Sequence, residues 1–176
     1  MTNLIDERYF WGSLNIPNLT QNRIGVAQMQ TVASVNVDIQ RYIAVYQKQY
    51  LLEMLGETLA ATITEEKALA LFVDEALLLS PLANYVFFHY MRDNASANTP
   101  TGEKKMSVAN AINISSSGRI ANAWNKMVAL NISVSNVIIN DDSIDKIVIQ
   151  NDYDNLCPEA KISADNLFIY TNEFGI

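Results

Sequence analysis

The sequence predicts a mainly α-helical fold: a small helical bundle with a long protruding loop or arm and an extended C-terminal tail. Three observations favour it. Apolar residues recur every three or four positions in the stretches 39–55 and 120–130, which is the spacing of amphipathic helices. The pair Ser80-Pro81 has the form of a helix start. The segment from Asp93 to Gly118 lacks helical spacing and is far longer than the usual connection of about 4–6 residues.

The first predicted element is a short helix within residues 4–14. Asp6 and Glu7 stand where carboxylates favour the first turn of a helix, and Pro17-Asn18 interrupts it. Its apolar residues are Leu4, Ile5, Tyr9, Phe10, Trp11 and Leu14.

The next predicted element is a long amphipathic helix that begins at Asn36 or Asp38, either of which can cap it. Gly56 is placed to end or bend this helix. Its apolar positions are Ile39, Tyr42, Ile43, Tyr46, Tyr50, Met54 and Leu55.

Thr64, followed by Glu65 and Glu66, predicts the start of another helix. Its expected buried stripe consists of Leu69, Phe72, Val73, Ala76 and Leu77. A third helix should begin at Ser80-Pro81, where proline costs no hydrogen bond. Because that helix is apolar nearly all round through Met91, we expect it at the centre of the bundle.

Residues 93–118 are rich in Asn, Ser, Thr, Ala and Lys, and we interpret them as an arm with a turn at Thr99-Pro100-Thr101-Gly102. A partial alternation allows a short extended piece or hairpin there, and its members are Met106, Val108, Ile112 and Ile114. Helical spacing returns after Ser117 and is predicted to continue to about Asn140. Residues 143–150 are left open, because their β-branched residues also suit strands. The domain division is therefore a helical domain over 1–150, with its arm at about 93–118, and a tail over 151–176.

Composition suits one globular domain of 176 residues, of which 49% are hydrophobic. The net charge of −7 argues against non-specific wrapping of nucleic acid or adhesion to an anionic membrane. Only 18% of the residues are charged and nineteen are Asn, which hints at surface covered by other subunits. No signal peptide or membrane span is predicted.

Side chains that carry chemistry are few. The single Cys157 allows no internal disulfide and no zinc signature, and the isolated glycines form no phosphate-binding loop. His89 is the only histidine, so we interpret it as a packed residue rather than a base. The acidic group that begins at Asp152 fails as a calcium loop, because Cys157 stands where that loop needs glycine. We therefore predict no enzyme activity, no metal and no cofactor.

The stretch from Ile39 to Leu59, IQRYIAVYQKQYLLEMLGETL, resembles the opening helix of head-tail connector (portal adaptor) proteins of tailed bacteriophages. Three later features are similar to that family: a buried helix with the run Tyr-Val-Phe-Phe-His-Tyr, a protruding loop after Asn98, and a helix through Trp124. The ending Asn-Glu-Phe-Gly-Ile is similar to the tails of connectors from phages of gut Bacteroidota, including the crAss-like group. The resemblance covers residues 36–130 and the last few.

The resemblance implies a virion structural protein that forms a homo-oligomeric ring, usually twelvefold, between the portal and the next tail component. DNA would pass through the ring without specific binding, and assembly would take place in the host cytoplasm. The lateral helix faces and the arm, residues 93–118, would then supply the subunit contacts, and the tail, residues 152–176, would reach a neighbouring ring. The residues predicted for these contacts are Lys104, Lys105, Met106, Ile112, Ile114, Phe174 and Ile176.

Two alternatives stay open at the level of sequence. One is a small helical cytosolic binding or regulatory protein with a ligand pocket beneath the helix from Tyr85 to Tyr90. The other is a different ring protein of the phage tail.

Overall fold

Helices make up most of the part of the chain that the structure describes, as predicted. The computed structural model describes residues 2–16, 19, 29–94, 96–99, 102–105 and 116–140. Within these residues the α-helices are α1 (Met29–Thr62), α2 (Glu65–Phe72), α3 (Pro81–Asp93) and α4 (Ser116–Asn140), and the strands are β1 (Ser96–Thr99) and β2 (Gly102–Lys105). No helix in this part of the chain is long and apolar enough to cross a membrane.

Helix α1 differs from its predicted form at its start. It begins at Met29 and not at Asn36 or Asp38. Residues 29–35 contain neither glycine nor proline and include Met, Gln and Ala, which favour helix, so nothing forces the helix to begin later. The expected bend at Gly56 is confirmed. Its φ of 77° and ψ of 169° are non-helical, and the residues on both sides of it are helical.

Helix α3 lies at the centre, as its sequence predicts. Ser80 caps it by accepting a hydrogen bond from the Leu82 amide at 3.1 Å, and Pro81 occupies the first turn. Residues 81–87 and His89 are all buried. Helix α3 packs against both α4 and α1, which accounts for its having no wholly polar face.

The N-terminal segment folds into two short 3₁₀ turns, Glu7–Tyr9 and Gly12–Leu14, instead of one short helix. It lies along α1, where the buried Gln47 side chain accepts from the Leu4 amide at 2.7 Å and donates to the Thr2 carbonyl at 2.9 Å. Arg119 of α4 donates to the carbonyls of Ser13 and Asn15 at 3.1 and 2.8 Å. The segment thereby links α1 to α4.

Helix α2 ends earlier than its apolar pattern suggests. The cap at Thr64 is confirmed, but the helix stops at Phe72. Asp74 and Leu79 then pair through two backbone hydrogen bonds of 2.8 and 3.0 Å, and the Asp74 carboxylate accepts from the Leu77 amide at 2.9 Å. This tight turn exposes Ala76 and Leu77, so the prediction that they are buried is wrong.

The predicted arm begins where α3 ends, and part of it is an antiparallel hairpin in which Thr99 pairs with Gly102. Lys104 and Lys105 belong to β2. The predicted contact residues Met106, Ile112, Ile114, Phe174 and Ile176, together with residues 141–176 as a whole, lie outside the described residues. The expectation that helix continues to about Asn140 is confirmed by α4.

Candidate functional site

Tyrosines and one histidine fill the contact between α1 and α3. Tyr46 stacks on His89 with ring centroids 4.1 Å apart and planes 15° apart, and Tyr42 meets Tyr90 edge-on at 5.2 Å. We call this group the aromatic seam, and its members are Tyr42, Tyr46, Tyr50, Tyr85, His89 and Tyr90. Offset and edge-to-face pairs of this kind add about 0.5–1.5 kcal/mol each beyond the area that they bury.

Four phenol groups of the seam, those of Tyr42, Tyr46, Tyr50 and Tyr85, end on a carboxylate or an amide. Tyr42 and Tyr46 both donate to Asp93 Oδ2, at 3.3 and 3.4 Å. Tyr85 donates to Glu53 at 3.0 Å. Burial, followed by the charge of the neighbouring carboxylate, raises the pKa of each of these three phenols. They therefore stay protonated at neutral pH and act as hydrogen-bond donors that join α1 to α3.

Tyr50 joins a third helix to the seam. Its hydroxyl lies 2.6 Å from Asn131 Oδ1 of α4, and its ring meets Phe72 of α2 edge-on at 5.4 Å. The space beneath α3, where one of the alternatives places a ligand pocket, contains these rings and that of Trp124. An open depression lies elsewhere, on the outer side of α1 between Glu7 and Arg41.

His89 differs from the hydrogen-bonded tyrosines of the seam, because it is buried without a polar partner among the described residues. Its side chain is 7% exposed, and neither ring nitrogen has a hydrogen-bond partner among the described residues. Burial lowers the pKa of the imidazole, and Arg92 lowers it further, against the opposing charges of Asp93 and Glu53. The imidazole is thus held neutral, in agreement with its interpretation as a packed residue.

Replacing His89 with phenylalanine should remove an acid sensitivity of the fold. Because the pKa is depressed in the folded chain, the unfolded chain binds more protons below about pH 6.5, so stability falls as pH drops through that value. We expect urea midpoints of the natural protein, followed by circular dichroism, to fall between pH 7.5 and 5 more steeply than those of His89→Phe. At pH 7.5 the variant should be equally stable or about 1 kcal/mol more stable, since two unpaired polar atoms are removed.

A difference between pH 7.5 and 5 can be assigned to His89, because the sequence holds one histidine and no other side chain normally titrates in that range. Tyr46→Phe is the matched control: it alters the stacking partner and leaves the imidazole in place, so it should retain the steeper dependence. Parallel pH profiles for the natural protein and His89→Phe would contradict the assignment.

The outer face of α1 carries apolar side chains that nothing in the described chain covers. Val37 and Val45 are 53% and 61% exposed, and Leu52 is 40% exposed. Arg41 and Lys48 lie among them, because positions 37, 41, 45, 48 and 52 share one face of an α-helix. We call these five residues the outer stripe. Within the described residues, neither of its cations has an ion-pair or hydrogen-bond partner.

A second exposed surface lies at the turn after α2. Leu77 is 61% exposed, and Trp11, whose indole donates to the Leu78 carbonyl at 3.0 Å, is 53% exposed. Asp74 and Glu75 stand beside them and are also exposed. These carboxylates act on the nearby Tyr9. Burial raises the pKa of its phenol, and the negative charges of Glu75, Asp6 and Asp74 raise it further. We call Trp11, Asp74, Glu75 and Leu77 the turn patch.

The sequence predicted subunit contacts on lateral helix faces without naming their residues, so it identified neither the outer stripe nor the turn patch. The outer stripe has its own four-and-three spacing opposite the buried face of α1, a signal that could have been found. The turn patch could not have been found from the sequence, because it depends on where α2 ends. Of the residues predicted as contacts, the structure describes only the backbone of Lys104 and Lys105.

Comparison with protein-family models, curated proteins and solved structures yields no match for this chain. The described residues contain no group of three or more His, Cys, Asp or Glu side chains placed to hold a metal ion. They present packed aromatic rings in the seam and exposed apolar and charged side chains at the outer stripe and turn patch.

Proposed function

We propose that this protein is a virion structural protein, a head-tail connector subunit that forms an adaptor ring between the portal and the tail of a bacteriophage. The observation that carries the proposal is the outer stripe, where three large aliphatic side chains are exposed beside two cations that have no partner among the described residues. A row of exposed aliphatic side chains with cations between them has the mixed composition of surfaces that contact another protein.

The aromatic seam supports the same proposal. Its phenols are donors in hydrogen bonds between helices, and its histidine is buried and neutral. These groups give the bundle a rigid body that can present outer surfaces to neighbours. The resemblance of residues 36–130 to connector proteins adds the particular assembly: a ring, usually twelvefold, on the portal.

Charge is compatible with a conduit. Each subunit carries a formal net charge of −7, so a ring of many copies would repel DNA rather than grip it. In this proposal DNA passes through the ring without specific contacts, while the arm and the tail reach the portal or the next tail protein.

The test is assembly with the portal protein from the same genome. Negative-stain imaging and native mass spectrometry of the mixture should show closed rings or portal-bound copies of this chain. The control replaces the portal with an unrelated ring-forming protein, which should bind no copies. A persistent monomer that has no affinity for the portal would rule the proposal out.

A further inference from the structure

We infer that the outer stripe of one copy docks on the turn patch of a second copy, so that the chain associates head to tail. Closure of the copies into a ring rests on the proposed function, whereas the contact between two copies does not. Nothing in the resemblance assigns either surface, and the predicted contact residues lie in the arm and the tail.

The first argument is charge. The outer stripe carries Arg41 and Lys48, neither of which has an ionic partner in the described part of the chain. The turn patch carries Asp74 and Glu75. Opposite charges at the rim of a contact steer encounter and fix its register.

The second argument is apolar surface. Val45 is the most exposed aliphatic side chain of the stripe and Leu77 that of the patch, each 61% exposed. Trp11 adds an aromatic ring beside Leu77, held in place by its hydrogen bond to Leu78. Exposed aromatic and aliphatic side chains with a charged rim are the composition of a protein interface.

The occupant follows from these two arguments. Each surface has the charge that the other lacks, and both belong to every copy of the chain, so a second copy satisfies both at once. A contact between two different surfaces is heterologous, and it propagates into a closed ring or an open filament according to the rotation per step.

Carbodiimide cross-linking tests the contact directly, since it joins a lysine amine to a carboxylate with which it is in contact. Unlabelled and ¹⁵N-labelled protein are mixed, with portal present if the protein alone stays monomeric, and cross-linked peptides are identified by mass spectrometry. We expect mixed-label links from Lys48 to Glu75 or Asp74. Links from Lys48 to carboxylates of residues 141–176 in the same chain would assign the stripe to the tail and overturn the inference.

Paired variants test the head-to-tail geometry. Val45→Asp damages only the stripe and Leu77→Asp only the patch, so each alone should weaken self-association about tenfold or more. Mixed together, each variant retains the surface that the other has lost, so they should form pairs of one copy each and no larger species. Both substitutions replace exposed residues, and circular dichroism should show unchanged helix content.

Ile132→Asp is the control, because it places a charge at an exposed aliphatic position of α4, outside both surfaces. It should assemble as the natural protein does. Normal assembly of Val45→Asp and Leu77→Asp on the portal would overturn the inference and leave the proposed function standing. If both variants weakened self-association but the protein had no affinity for the portal, the inference would stand and the proposed function would be overturned.

Discussion

Replacement of Phe87 by alanine is expected to lower the free energy of unfolding by about 3–5 kcal/mol. Phe87 is fully buried in the middle of α3, the helix that packs against both α1 and α4. The Arg119 guanidinium lies 5.4 Å from the centre of its ring, so truncation also removes a cation–π contact. Urea unfolding followed by circular dichroism would measure the loss.

Ile132→Ala is the matched control for this substitution. Ile132 is a large apolar residue of α4 that is 38% exposed, and alanine favours helix, so we expect a change within about 0.5 kcal/mol. A loss below about 1 kcal/mol for Phe87→Ala, or an equal loss for both variants, would show that α3 is not the centre of the core.

Local signals predicted most of the helical framework. The Ser80-Pro81 start, the Thr64 cap and the helical continuation to Asn140 depend on residues near in sequence, and all three agree with the structure. The end of α2 does not follow from such signals. It depends on the Asp74–Leu79 pairing, which competes with helix over residues whose apolar spacing alone would have continued it.

The chemistry between helices was less accessible to sequence reasoning. Tyr85 of α3 is buried, as expected for a central helix, Tyr90 packs partly buried against the core, and His89 was correctly expected to be packed. Asp93 accepts hydrogen bonds from two phenols of α1. To predict this, one must know how α1 and α3 are rotated relative to each other, and the periodicity of the sequence does not give that rotation. A charged residue at the end of a helix looks solvated until its partners are placed.

The exposed apolar residues bring these observations together. Val45 and Leu77 are residues of the same types as those in the core, yet both are exposed. One is left out because α1 already buries its opposite face, and the other because a tight turn replaces the last part of α2. The fold therefore generates the two surfaces on which the proposed head-to-tail contact rests.

Replacing Gly56 with alanine should destabilise the protein by about 1–3 kcal/mol. Its φ of 77° and ψ of 169° belong to a region that is essentially restricted to glycine, and residues with a Cβ atom pay a cost of that order to occupy it. Gly56 is buried at the bend of α1, next to the buried Leu55, so the chain has little room to relieve the strain by moving. Thermal and urea unfolding should both report the loss.

Gly118→Ala separates this backbone effect from the mere addition of a methyl group. Gly118 lies in α4 without a positive φ, and an added Cβ would meet no atom within 4 Å. Alanine there restricts the unfolded chain and favours helix, so the variant should gain up to about 1 kcal/mol. Opposite signs for the two variants are therefore expected. If Gly56→Ala were neutral or stabilising, α1 would have to run straight through residue 56, and the bend at that position would be absent.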